Sequence, residues 1–151
     1  MVSIYELDGL AALAVKDCPT LKDYVLVSCE AELKDMIEKC KFPLLVGAYP
    51  SADGDDVNRD NMAESNLALW YVLKTMTEND SKQQRTAIWD ETQQGMKELK
   101  KFFNEQMTNQ ESEFFKLLED ANFDKRSIDP EYNFLECVGW SLKFDFSTSG
   151  L

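Results

Sequence analysis

The stretch Glu136-Cys-Val-Gly-Trp-Ser-Leu-Lys-Phe-Asp-Phe-Ser147 decides the fold class. Trp140, Leu142, Phe144 and Phe146 alternate with Ser141, Lys143, Asp145 and Ser147, the period of two expected of a strand with one face on a core and one in water. Such strands belong to antiparallel sheets. Ile128 to Phe134, just upstream, is the natural hairpin partner.

Further strands are read outward from this one. Tyr24 to Ser28 is short and β-branched, and Phe42 to Tyr49 is apolar, with Pro43 tolerable only at its start or on an edge. Residues 65–77 fit a strand or a buried helix by pattern alone. Trp70, Tyr71, Val72 and Thr75 favour a strand that forms a long hairpin with 42–49. Pro50 to Asn61 between them has the turn residues of a loop.

Helical spacing appears in Ile4–Lys16, where Ser3 is a candidate N-cap with Glu6 three residues on, and in Glu30–Lys41. A long helix is predicted over about 82–109, capped near Asn79-Asp-Ser81, with Ile88, Met96, Leu99, Phe102, Phe103 and Met107 inward. Gly95 within it costs up to about 1 kcal/mol. Helical character resumes through Glu111–Asp120. The expectation is a single α+β domain, a largely antiparallel sheet packed against helices. Trp70 and Trp140 are expected in its core.

The 151 residues carry 16 basic and 28 acidic side chains, a net −12, and no histidine. Acids are in excess throughout, so the chain lacks the basic surface that nucleic acid or an anionic membrane requires. Without histidine there is no Ser-His-Asp or Cys-His pair and no HExxH helix. Cys18, Cys29, Cys40 and Cys137 lack zinc-site spacing. They read as reduced thiols, with Cys29 and Cys40 expected to be buried and structural. No secretory signal is visible, since Glu6 and Asp8 stand where a basic leader segment would be. A reducing cytoplasm, or a virion assembled there, is the expected location.

No residue is singled out as catalytic, and no metal or cofactor is expected. Read as a calcium loop from Asp53, the acidic stretch places Asp55 and Glu64 correctly but fails at Val57 and Asn58. Asp53, Asp55, Asp56 and Asp60 are instead candidate interface residues. Trp89, near the edge of the long helix's inward stripe, is either an interface anchor or a residue half-buried at the core edge.

The order of elements resembles small phage tail-completion and tail-terminator proteins, and uncharacterised phage-derived proteins of Bacteroidetes. The likeness rests on a Phe42-Pro-Leu-Leu strand running into a polar hairpin loop and on the closing Gly139-Trp-Ser-Leu-Lys-Phe-Asp-Phe146 strand. It implies a non-enzymatic virion protein that forms homo-oligomeric rings and contacts other virion proteins. Exposed edges of strands 43–49 or 138–146 would then extend the sheet between subunits, with loop 51–61 reaching a partner. Two helical stretches after the hairpin depart from that pattern. The alternative is an acidic cytoplasmic adaptor or inhibitor of a basic protein.

Overall fold

The computed structural model describes residues 2–54, 63–118 and 120–149. Helices α1 (Ile4–Asp17), α2 (Glu30–Met36), α3 (Lys82–Thr108) and α4 (Phe115–Leu118) surround five strands. These are β1 (Asp23–Val27), β2 (Leu44–Gly54), β3 (Ala63–Thr75), β4 (Asn122–Phe134) and β5 (Cys137–Ser149), in the sheet order β1-β2-β3-β5-β4. Only β1 and β2 are parallel, because α2 carries the chain across between them; the other pairs are antiparallel. The chain is therefore α+β with a mostly antiparallel sheet, as its alternating strand implies.

The sheet has two buried faces at one end. Leu26, Leu45, Trp70, Val72, Leu142 and Phe144 meet α1, α3 and α4 on the larger face, where Leu7, Leu10, Ala14, Leu99 and Phe103 complete the core. Val25, Val27, Leu44, Val46, Leu73 and Cys137 point the other way and are covered by Leu33 of α2. Neighbours such as Leu44, Leu45 and Val46 belong to opposite faces, so β1 and β2 read as continuous apolar runs without alternation. Beyond α2 the second face opens, and Lys143, Asp145 and Ser147 are exposed. Ser141 departs from the expected wet face: it is fully buried beside Tyr71, its register partner, and its hydroxyl donates to Glu131 Oε1 at 2.9 Å.

Local chemistry sets the helix limits. Ser81 caps α3: its Oγ accepts the Gln84 N–H at 3.1 Å, and Gln84 Oε1 accepts the Ser81 N–H at 2.7 Å, forming a capping box. Ser3 holds the N-cap position of α1, but its side chain makes no capping bond. The stripe over Glu30–Lys41 is α-helical only to Met36 and tightens into a 3-10 turn, Ile37–Lys39. Among the described residues, the helix expected over Glu111–Asp120 forms over Phe115–Leu118 alone. Asn109 Oδ1 and Ser112 Oγ accept the Glu111 and Phe114 N–H groups, replacing helical bonds with local ones.

Two corrections change the surface. Strands 43–49 and 138–146 were expected to offer edges, but β2 lies between β1 and β3, and β5 between β3 and β4. The crossover through α2 puts β1 outside β2, and β4 pairs with the outer side of β5. The β2–β3 hairpin is also longer than expected, since β2 continues through Gly54, within the predicted loop.

Candidate binding clefts

An open cleft of about 530 Å³ lies between the end of α2 and the β4–β5 turn. Ile37, Phe42 and Leu135 supply apolar walls, with Lys34, Glu38 and Glu136 also lining it. The turn is unusual, because Leu135 and Glu136 both have positive φ, 55° and 63°, without a glycine or asparagine between the strands. Such backbone costs of order 1–3 kcal/mol per residue and persists only where the surroundings fix it. Here Met76 donates its N–H to Glu136 O at 2.9 Å, and the Tyr71 and Phe134 rings stack 5.1 Å apart. In the sequence Phe134 and Leu135 are separated from Cys137 and Val138 by Glu136 alone, so the residue types signal neither the turn nor the cleft.

The thiols divide by environment. Burial pushes the Cys18 thiol up to about 12, with Glu98, Asp17 and Glu105 adding to it. Cys137 rises to about 11 through burial and then Glu136. Both stay protonated near neutrality and are poor nucleophiles. The expectation that Cys29 and Cys40 are buried is corrected: Cys29 is exposed at the start of α2, and Cys40 is half-buried, where its Sγ donates to Met36 O. All four cysteines are free.

One carboxylate acts as a clamp. Thr20 donates its N–H to Glu98 Oε1 at 2.9 Å and its hydroxyl to Oε2 at 2.6 Å, fastening the segment after α1 to α3. Burial alone would raise the Glu98 pKa, but the Thr20 and Gln94 hydrogen bonds and the Lys22 charge outweigh it and hold the group below its ordinary value. Lys74 of β3 pairs with Glu91 of α3 in the same way, joining sheet to helix.

Of the interface candidates, Asp53 and Trp89 lie among the described residues. Asp53 lies in β2, opposite Ser65 in register, while Asp55, Asp56 and Asp60 fall outside the described residues. Trp89 is half-buried on α3, its ring set edge-on to Trp140 at 5.8 Å and 79°. Trp70 is a core residue at 2% exposure, whereas Trp140 is half-buried at the core edge. Among the described residues no three acidic or cysteine side chains cluster as metal ligands, and no helix is long and apolar enough to cross a membrane.

The chain matches no protein-family model, no curated protein and no solved structure.

Proposed function

We propose that the chain is a non-enzymatic virion assembly protein that forms a homo-oligomeric ring, in the manner of the tail-completion and tail-terminator proteins it resembles. The observation that carries this reading is that the two free edges of the sheet are unlike. β1 has 5 residues and β4 has 13. A contact between unlike edges is heterologous: each copy presents one edge and receives on the other, and rotation repeats the contact until the ring closes.

The edges limit how that contact is made. Pro130 has no N–H, and the register of β4 against β5 breaks between Asn122 and Ser127 and again between Glu131 and Phe134. These features blunt an edge against indiscriminate strand pairing. The contact therefore relies on side chains more than on a continued ladder. Tyr132, 70% exposed on β4, is its best anchor.

Gel filtration with light scattering, from micromolar to hundreds of micromolar, tests the reading. The expected mass is a multiple of 17.3 kDa that falls in Tyr132→Asp without loss of helical circular dichroism. A wild-type protein that stays monomeric throughout overturns the ring and leaves the acidic adaptor as the stronger account.

A further inference from the structure

A second recess, of about 150 Å³, lies between α3 and the outer strands, lined by Gln93, Met96, Lys97, Lys100, Ile128 and Trp140. We infer that this groove captures an acidic segment of a partner protein, anchored by one apolar side chain. Its floor is apolar. Met96 is buried, Trp140 is half-buried, and Ile128 keeps 37% of its surface exposed although its register partner Leu142 is fully buried. Helix α3 covers Leu142 but not the strand outside it, and the uncovered step is the size of one side chain.

The rim has the opposite sign to the molecule. The chain carries −12, yet Lys97 and Lys100 stand together on α3 without a carboxylate partner among the described residues. Lys101, the next residue along α3, reaches Glu105 at 3.9 Å, whereas these two face the recess. Two left unpaired beside apolar surface favour a ligand that brings its own carboxylates. Trp140, whose indole Nε1 is buried without an acceptor, also lines the groove, so its N–H resonance reports on what enters there. A basic peptide would leave the lysines unpaired, and nucleic acid would need far more positive charge than two lysines supply. The groove occupies the helix-covered face of the sheet and not the hydrogen-bonding edge of β4, so this inference stands apart from ring formation.

The test uses the full chain and a capped heptapeptide of leucine flanked by three glutamates on each side, followed by the Trp140 indole N–H resonance. Saturable movement of that resonance is expected, with binding at least several-fold weaker when alanine replaces leucine. Lysines in place of the glutamates should abolish it. K97E with K100E should weaken binding by about tenfold or more, the scale of two exposed ion pairs. Should that variant fold poorly, Lys97→Met with Lys100→Met keeps the stems and should still weaken binding several-fold. An unmoved indole resonance, equal binding of the lysine peptide, or unchanged affinity in the folded lysine variants would each overturn the inference.

Discussion

Gly139→Ala should be among the most damaging single-methyl changes available to this fold. A Cβ at Gly139 would lie 1.8 Å from Val72 O, 2.8 Å from Val72 C and 3.1 Å from Leu73 Cα, all backbone atoms of β3. Ordinary contact begins near 3.4 Å, so β3 and β5 must separate by well over an ångström at the centre of the sheet. No rotamer change relieves a clash with a carbonyl. The separation costs two or more ladder bonds at about 1 kcal/mol each, besides overpacking of about 1–3 kcal/mol. The loss of unfolded-state entropy on replacing glycine returns at most about 1 kcal/mol. The expected net loss is about 3 kcal/mol or more, which lowers Tm by roughly 6–12 °C for a domain of this size.

Gly95→Ala provides the comparison. The nearest atoms to its Cβ are side-chain methyls, Val72 Cγ1 at 3.0 Å and Leu21 Cδ2 at 3.4 Å, and the residue is inside α3. Alanine gains about 1 kcal/mol of helix propensity there, against a small displacement of Val72. Stability within about 1 kcal/mol of the parent is expected. Urea unfolding followed by far-ultraviolet circular dichroism measures both. A Gly139→Ala midpoint equal to the parent's, or a larger loss for Gly95→Ala, would refute the β3–β5 approach described above.

Two further outcomes follow from the ionisable groups. Because the folded pKa of Glu98 lies below its ordinary 4.5, its clamp on Thr20 contributes stability above that pH and loses it as pH falls through the folded value. Thr20→Val should therefore cost about 1–2 kcal/mol at pH 7 and distinctly less at pH 3, measured by urea midpoints; an equal cost at both would mean that the hydroxyl bond is not to a carboxylate. For the thiols, a disulfide reagent at pH 8 should label Cys29 first in the native protein, while Cys18 and Cys137 react only on unfolding. Rapid native labelling of Cys18, located by mass spectrometry, would contradict its burial.

Legibility in the sequence followed how local the cause was. The alternation from Leu142 to Ser147, the cap at Ser81 and the aromatic run of β3 depend on neighbours a few residues away, and each appears where the pattern put it. The edges depend on something longer in range. Whether Phe42–Tyr49 lies inside the sheet is decided by α2 carrying β1 to its far side, a packing choice not visible within either strand. The start of β4 was missed for a different reason: Phe123 to Arg126 form the extra residues of its first register break, so their side chains show no period of two. The groove was illegible because it requires α3 and β4 together. Lys97 and Lys100 read as outward residues of an amphipathic helix until Ile128 and Trp140 are placed beside them.

The net charge gives the two functional readings opposite signs in salt. Copies of a chain carrying −12 repel one another on approach, so a ring must form against that field through contacts that exclude water. Raising ionic strength shortens the screening length, about 8 Å at 0.15 M, and should strengthen such assembly. Capture of an acidic segment at Lys97 and Lys100 is attractive at short range and should weaken over the same titration. If the two processes shared one surface, a single salt dependence would govern both. Separate surfaces, an outer strand edge for the ring and a helix-side groove for the acidic segment, require that they diverge.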